Sequence, residues 1–214
     1  MSIIGKIIDG HIEKRRLKIH RAFRKKLKNE TPSIIANNCF GTMIYYHLGL
    51  RYMSPTINLF IKKDEYLTFV SNLREYLDAE MTEVTDTDNK YPVGELICDG
   101  KAVRIYGMHY KSFDELKEKW DSRKRRIDYN NFFVVMTTLA FTKDDAEVFD
   151  KLPYENKLVV TGRSECDRPY ITFHKVLKDE SYDIGRFVQY DSRFSIKKPM
   201  DDIDYVGFLN GKND

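Results

Sequence analysis

The sequence feature that most constrains the fold is a run of apolar residues, Phe-Phe-Val-Val-Met at positions 132–136, in which no polar residue alternates with the apolar ones. Strands that are covered on both faces have such runs, because neither face of the strand meets water. A second run of this kind spans residues 157–161, and a capped amphipathic segment at residues 142–152 separates the two. This order predicts two parallel strands joined by a helix.

The segments before this unit extend the alternation of strands and helices. Residues 33–37 and 56–61 are strand-like, whereas residues 42–48 and 64–77 have helical periodicity. Asp99-Gly100, between two short apolar-rich segments, is a strong signal for a hairpin turn. We therefore predict an α/β fold with a mostly parallel open sheet, helices on both of its faces and one antiparallel hairpin.

The N-terminal segment has the pattern of a basic amphipathic helix. Nine Lys or Arg residues lie between His11 and Glu30. Apolar residues recur at helical spacing and form one stripe, which comprises Ile8, Ile12, Ile19, Phe23 and Leu27. Thr31-Pro32 ends the predicted helix, because proline cannot continue it. We therefore divide the chain into a basic helix at residues 1–30 and an α/β domain at residues 31–214.

This basic helix has two main interpretations, which the sequence leaves open. Its apolar stripe can dock on the core while its charges are simply solvated. Alternatively, residues 8–28 bind the anionic head groups of a membrane surface, where each basic residue contributes about 1 kcal/mol. Nucleic acid is a weaker interpretation, because the chain has no recognisable nucleic-acid motif and aromatic residues do not alternate with the basic run. We therefore expect no nucleic-acid partner.

The cysteines and the apolar runs bear on the cellular compartment. The chain has 3 cysteines, which are widely spaced and odd in number, so they provide neither a disulfide framework nor a metal knuckle. The charges that follow the first isoleucines leave no apolar region for a secretory signal. The longest uncharged run, residues 129–142, is shorter than the ~20 residues that a spanning helix needs. We expect a cytoplasmic protein, attached peripherally to the inner membrane face if the helix binds lipid.

The first candidate site lies where the first predicted strand leads into a helix, because ligands of open α/β sheets bind at the carboxyl ends of strands. Free N–H groups and the helix dipole favour anions at such a point. We predict that Asn37, Asn38 and Gly41 bind an anionic or sugar group there. The alternative is an ordinary turn in which the asparagines cap the helix. Cys39 is a candidate nucleophile, although unpaired cysteines are mostly buried and inert.

Two further groups of candidate residues lie around a predicted helix that Ser112 caps. His109 follows a strand and precedes this cap, so it is a candidate general base or, alternatively, a histidine that hydrogen-bonds within the turn. Lys119, Arg123 and Arg126 share one helix face, which suits the phosphates of a polyanionic or nucleotide ligand. A solvated helix face explains the same spacing, and both interpretations stay open.

Asp86 and Asp88 have the spacing of an aspartate pair that holds a metal ion and a sugar-nucleotide diphosphate. They lie in a polar loop, however, in which two aspartates need no functional explanation. We therefore predict no metal site, and the sequence leaves the identity of any cofactor open.

Seven segments have an order and spacing that are specific when taken together: residues 33–42, 54–60, 91–94, 108–113, 119–127, 149–153 and 204–210. In these segments the chain resembles an uncharacterised family of bacterial domains, whose members are often labelled exopolysaccharide biosynthesis proteins. Related chains usually have Trp at the position of Phe208. The resemblance implies a bacterial cytosolic α/β domain associated with surface-polysaccharide synthesis, and it implies no established reaction or catalytic residue.

The residues and the resemblance together lead us to expect a transferase that acts on a sugar nucleotide or a lipid-linked glycan. A different class is a non-catalytic binding or scaffolding module of the polysaccharide machinery, and an acyltransferase that modifies a glycan is a third possibility. Convergence of Asn37, Cys39, His109 and Arg123 on one concave cavity would favour an enzyme, whereas dispersal would favour the scaffold.

Overall fold

The computed structural model describes residues 3–85, 88–192 and 195–211, with the backbone alone for residues 3–11. The helices in chain order are α1 (Ile3–Lys26), α2 (Cys39–Leu48), α3 (Lys63–Ser71), α4 (Leu73–Asp78), α5 (Phe113–Lys124), α6 (Lys143–Asp150) and α7 (Tyr205–Leu209). The strands are β1 (Ser33–Ala36), β2 (Thr82–Glu83), β3 (Val93–Cys98), β4 (Lys101–Tyr106), β5 (Phe132–Phe141), β6 (Asn156–Ser164) and β7 (Ile171–Phe173). Short 3-10 helices follow β7 at Lys175–Lys178, Ile184–Val188 and Pro199–Asp202.

The main sheet has four parallel strands in the order β1-β5-β6-β7. The run at residues 132–136 begins β5, which pairs with β1 on one side and with β6 on the other. β5 therefore occupies the interior position that its uniformly apolar sequence predicts. The helix α6 connects β5 to β6, as predicted for a parallel pair.

Two apolar cores cover the two faces of this sheet, and successive side chains of β5 enter them alternately. Val134 and Met136 pack with α3, α4, α5, α6 and the antiparallel strands. Phe133 and Val135 pack with α2, α7 and the end of α1. The predicted α/β fold with helices on both faces of a mostly parallel sheet is confirmed.

The antiparallel hairpin belongs to a second, three-stranded sheet in the order β2-β3-β4. Its turn has φ 47° at Asp99 and 71° at Gly100. Both values lie in the left-handed region that this two-residue turn requires, which explains the Asp-Gly sequence.

The predicted strand at residues 56–61 is wrong, because only Phe60 pairs, through a single antiparallel bridge to Tyr106. Asn58 has φ 59°, a left-handed conformation that interrupts an extended strand. The Asn58 N–H donates to the Thr42 hydroxyl at 2.9 Å instead of to a strand partner. Contacts with α2 therefore decide the backbone of this segment.

Local helix signals are mostly confirmed, with shifted ends. The helix α2 begins at Cys39, three residues before the predicted start, and ends at Leu48, where Gly49 caps it with φ 61°. The predicted helix at residues 64–77 is broken at Asn72 into α3 and α4. The Ser112 hydroxyl caps α5 by accepting from the Glu115 N–H at 3.2 Å.

The helix α1 ends at Lys26, before the predicted stop at Thr31-Pro32, and it packs on α2. Leu27 is buried just beyond the helix, and Phe23 packs edge-on against Tyr205 at 5.5 Å between ring centroids. The side chain of Ile8 lies outside the described residues. The inner face of this helix is therefore docked on the core, as the first interpretation of the basic helix predicts. Within the described ranges, no helix combines the length and apolarity needed to cross a membrane.

Candidate functional site

A cavity of about 360 Å³ lies beyond the carboxyl end of β1, beside the C-terminal half of β5. The N-terminus of α2, the segment before α3 and the 3-10 helix Ile184–Val188 form its other walls. The exposed area of its walls is mostly apolar, although seven of the 15 described lining residues have polar side chains, among them Asp183. An apolar wall with convergent polar groups is typical of a small-molecule site. The cavity also occupies the place at which open α/β sheets bind ligands.

Asn37 lines the cavity, but its side chain is occupied by the backbone of β5. The amide nitrogen donates to the Thr137 carbonyl oxygen at 3.0 Å, and the Thr137 N–H donates to the Asn37 Oδ1 at 2.9 Å. These two bonds extend the pairing of β1 with β5 by one residue. Asn37 therefore shapes the cavity wall, and the bonds leave it little capacity to bind a substrate.

Asn38 and Cys39 also line the cavity. The Asn38 Oδ1 accepts from the Phe40 N–H at 3.0 Å and so caps α2, while no hydrogen bond within the described residues occupies its amide nitrogen. Burial raises the pKa of Cys39 to about 11, so its thiol is neutral at pH 7. This pKa does not support thiolate catalysis, and the predicted nucleophilic role stays a prediction.

Gly41 is buried in α2 and is not among the residues that line the cavity. A Cβ atom at this position would lie 2.6 Å from the Ala36 Cβ, which is closer than two such atoms can approach. The glycine therefore allows α2 to pack against β1, and this close contact explains it without a bound ligand.

The remaining predicted residues, His109, Lys119, Arg123 and Arg126, do not line this cavity. His109 is exposed in the turn before α5, next to Met108, which does line the cavity. Lys119 pairs with the adjacent Glu118 at 2.8 Å. The structure therefore does not bring the predicted base or Lys119 together with the turn after β1.

Arg123 and Arg126 make structural contacts instead. The Arg123 Nη1 donates to the Tyr110 hydroxyl at 2.7 Å, and that hydroxyl donates to the Ile57 carbonyl oxygen at 2.7 Å. Arg126 donates to the Tyr52 carbonyl oxygen at 3.1 Å. Both arginines thus hold the irregular segment after α2, and their predicted phosphate-binding role stays a prediction.

Sequence reasoning missed the residues that form the mouth of the cavity. Phe60 stacks on Tyr106 with 4.5 Å between the ring centroids and an interplanar angle of 7°. Lys62 is exposed, and its hydrogen bond to Tyr106 raises its pKa, so it is cationic. Lys63 donates to Asp145 at 2.8 Å. The available signal was the Lys62-Lys63 pair directly before the helix predicted at residues 64–77.

A buried hydroxyl group in the cavity wall has no partner among the described residues. The Thr137 Oγ1 is buried and makes no hydrogen bond within the part of the chain that the structure describes. A buried unpaired hydroxyl is unusual in a folded protein, because its desolvation is not compensated.

Of the aspartate pair in the polar loop, Asp86 lies outside the described residues. Asp88 is exposed. Among the residues that the structure describes, no three His, Cys, Asp or Glu side chains are placed so that they could hold a metal ion.

Residues 11–210 match a family profile described as a domain of unknown function, DUF1919. The chain belongs to the DUF1919 family. An uncharacterized protein of Haemophilus influenzae is 31% identical to it over 215 residues, which cover 98% of this chain and 99% of that protein. The prediction of an uncharacterised family is confirmed, whereas the association with exopolysaccharide synthesis stays a prediction.

The DUF1919 domain also contains a buried charged cluster outside the cavity, formed by Arg16, His20, His47 and Asp201. Arg16 is 3% exposed, and its guanidinium binds both carboxylate oxygens of Asp201, with 2.6 Å from Nη2 to Oδ1. The same Nη2 lies 3.2 Å from the His47 Nε2, and His20 stacks on His47 at 4.2 Å. The cluster joins α1 to α2 and to the C-terminal segment.

Both histidines of this cluster are neutral at pH 7. Burial and the neighbouring Arg16 lower the pKa of His20 to about 4 and that of His47 to about 2. Protonation of either ring would add a second positive charge beside the guanidinium in a poorly solvated site. Arg16 and Asp201 are therefore the charged members of the cluster.

Proposed function

We propose that this DUF1919 protein is a transferase of surface-polysaccharide synthesis that binds a sugar nucleotide or a lipid-linked glycan in the cavity beside β1 and β5. The observation that supports this proposal most strongly is the cavity itself, because it lies at the strand ends of an α/β sheet and combines an aromatic platform with the exposed cation of Lys62. The family resemblance supplies the biological setting.

The cavity has groups that match the sugar and the diphosphate of such a ligand. Phe60, held flat against Tyr106, offers an apolar face for the C–H groups of a sugar ring. Asn38 offers an amide for a sugar hydroxyl. Lys62 and the N-terminus of α2 carry positive charge at the same opening, which suits a diphosphate.

Two alternatives remain within the same proposal. The apolar walls also suit an acyl donor, in which case the protein would acylate a glycan. The second alternative is a non-catalytic glycan-binding module, and the dispersal of His109 and Arg123 away from the cavity favours it.

A thermal-shift screen with nucleoside-diphosphate sugars and acyl donors tests which ligand the cavity takes. A ligand that binds only the folded state stabilises it by about 2.7 kcal/mol at a concentration of 100 times its Kd, so a rise in melting temperature identifies the ligand class. Release of nucleoside diphosphate in the presence of a glycan acceptor would then support the transferase. Binding without any turnover would support the module, and no shift with any of these compounds would contradict both.

We further propose that the outer face of α1 attaches the protein to anionic membranes, where lipid-linked glycans are assembled. Its exposed basic residues lie on the side of the helix opposite Phe23 and Leu27; they include Lys14, Lys18, Arg21 and Lys25. Because the opposite face is docked, lipid binding would use charge rather than insertion of the apolar stripe.

Charge reversal on this face separates membrane binding from folding. The triple change Lys14→Glu, Lys18→Glu and Lys25→Glu is expected to weaken sedimentation with phosphatidylglycerol vesicles by about 100-fold or more, since each basic residue contributes about 1 kcal/mol. The melting temperature should stay nearly unchanged, because all three side chains are exposed.

The matched control reverses three exposed lysines elsewhere, Lys90, Lys111 and Lys151. It changes the net charge equally and should retain most of the vesicle binding. Equal losses in the two triple variants would show that only net charge matters and would contradict the assignment to α1.

A further inference from the structure

A second cavity, of about 710 Å³, lies between α1 and the segment that follows the 3-10 helix Ile184–Val188. Its walls include Glu13 of α1, Arg186, Gln189, Tyr190 and, near the C-terminus, Lys198. Val188 separates it from the cavity beside β1 and β5, because this residue lines both. The second cavity is distinct from the proposed substrate site, and nothing in the proposed transfer reaction uses it.

Lys198 is the unusual residue of this cavity. The residue is 7% exposed, and within the described chain its ammonium group has neither a hydrogen bond nor an ion pair. The Tyr190 ring lies against it, with its centroid 4.9 Å from Nζ. A buried lysine without a carboxylate partner is costly, because the charge loses its hydration and gains little in return.

The nearby carboxylate cannot compensate Lys198 fully, because it is already engaged. The Asp201 carboxylate accepts hydrogen bonds from both terminal nitrogens of the Arg16 guanidinium. It also accepts one from the backbone N–H of Lys198 at 2.9 Å. Burial and the repulsion from Arg16 lower the pKa of Lys198 to about 8. Arg16 and Lys198 thus leave an excess of positive charge at this wall of the cavity.

The rest of the cavity is suited to a small polar anion. Arg186 is exposed and makes no ion pair within the described residues. Gln189 and Ser192 add hydrogen-bonding groups. Two carboxylates, Glu13 and Asp191, also line the cavity. They are exposed, as Arg186 is, so water screens all three charges, and Lys198 is the buried charge among the described residues that line the cavity.

From this geometry we infer that the second cavity is a phosphate-binding site in which Lys198 and Arg186 hold the phosphate oxygens. A phosphate dianion would compensate two cations at once, which a single carboxylate would not. Lysine is a common phosphate ligand, and arginine binds two phosphate oxygens with its planar guanidinium. The phosphate group can belong either to a soluble phosphate monoester or to the head group of a lipid, since α1 borders the cavity.

Calorimetric titration of the full-length protein with inorganic phosphate, at constant ionic strength set by chloride, tests this inference. The wild-type protein should bind phosphate, and Lys198→Met should bind it at least about tenfold more weakly, because a charge-assisted hydrogen bond is lost. The same variant should melt at an equal or higher temperature without phosphate, since an unpaired buried charge is removed. A purely structural lysine would instead give a clear loss of stability.

Lys197→Met is the matched control, because Lys197 is the adjacent lysine, is 54% exposed in its side chain and pairs with Asp202 at 2.7 Å. It should bind phosphate as the wild type does. If Lys198→Met does not fold, Arg186→Gln at an exposed position replaces it and should weaken phosphate binding severalfold. Absence of phosphate binding by the wild type, or unchanged binding in whichever of these two variants folds, would overturn the inference.

Vesicles distinguish the two sources of the phosphate group. If the natural ligand is a lipid, phosphatidic acid in phosphatidylcholine vesicles should bind the wild type more tightly than Lys198→Met. If it is soluble, inorganic phosphate should bind with the same dependence on Lys198 while the two proteins bind the vesicles equally. Either result supports the phosphate-binding site. The proposed binding of sugar nucleotides in the cavity beside β1 and β5 does not depend on which of the two results is found.

Discussion

Deleting residues 1–27 is expected to lower the free energy of unfolding by about 3 to 6 kcal/mol. The deletion removes the buried Leu27 and the half-buried Phe23, which pack in the core with α2 and α7, and it also removes the half-buried Ile12 and Ile19. Complete burial of such a side chain contributes about 1.5 to 3 kcal/mol, and partial burial contributes less. Urea unfolding of the truncated and full-length proteins measures the difference.

The contrary result for this deletion would be equal stability of the two chains, with loss of vesicle binding alone. That result would mean that α1 is a detachable membrane helix whose packing contributes nothing to folding. Docking of the inner face and lipid binding by the outer face are compatible, so the truncated chain is expected to lose both stability and vesicle binding.

Replacing Arg16 with Met is expected to destabilise the protein by about 3 to 5 kcal/mol. The substitution keeps a long side chain in place but leaves the carboxylate of Asp201 largely buried without its guanidinium partner. The loss of one partner of a buried ion pair costs more than the loss of both, because the remaining charge is poorly solvated. Thermal and urea unfolding of the single variant measure this cost.

The double variant Arg16→Met, Asp201→Leu is the control for this interpretation. Because it removes both charges, it should recover a large part of the stability that the single variant loses. Arg21→Met, on the exposed face of the same helix, should change stability by less than about 0.5 kcal/mol. A double variant as unstable as the sum of its single variants would show that the ion pair is not the source of the loss.

The architecture was predictable where the sequence pattern has a local physical cause. The apolar run at residues 132–136 required burial on both faces, and β5 is the interior strand of the sheet. The Asp99-Gly100 turn and the Gly49 helix end require left-handed backbone conformations, which these residues adopt readily. In each case a few neighbouring residues are sufficient to decide the conformation.

Features that depend on distant contacts were not predictable. Residues 56–61 have strand-like composition, but a hydrogen bond from Asn58 to Thr42 helps to hold them in another conformation. Arg16 was one of the nine basic residues of the predicted helix and was assigned no partner, although it lies four residues after Ile12 and seven before Phe23, on the face of the apolar stripe. Its partner Asp201 is 185 residues away in the chain, so no local pattern could identify it.

The candidate site was likewise predictable only where its residues lie close together in the sequence. The sequence located the turn after β1 correctly, and Asn37, Asn38 and Cys39 do line the cavity. It did not identify the opposite wall, because the 3-10 helix Ile184–Val188 comes from an irregular segment far along the chain. The phosphate-binding role predicted for Arg123 rested on helical spacing, which shows that residues share a face but not what that face contacts.

Calorimetric titration of nucleoside-diphosphate sugars into the wild type, Lys62→Glu and Lys151→Glu is the most direct measurement of whether the cavity beside β1 and β5 is the ligand site. Both lysines are exposed, but only Lys62 lines the cavity. We expect at least one sugar nucleotide to bind the wild type and Lys151→Glu equally, and to bind Lys62→Glu about tenfold or more weakly, because a cation near the diphosphate becomes an anion. Equal binding by all three proteins, or binding by none of them, would contradict the proposed site.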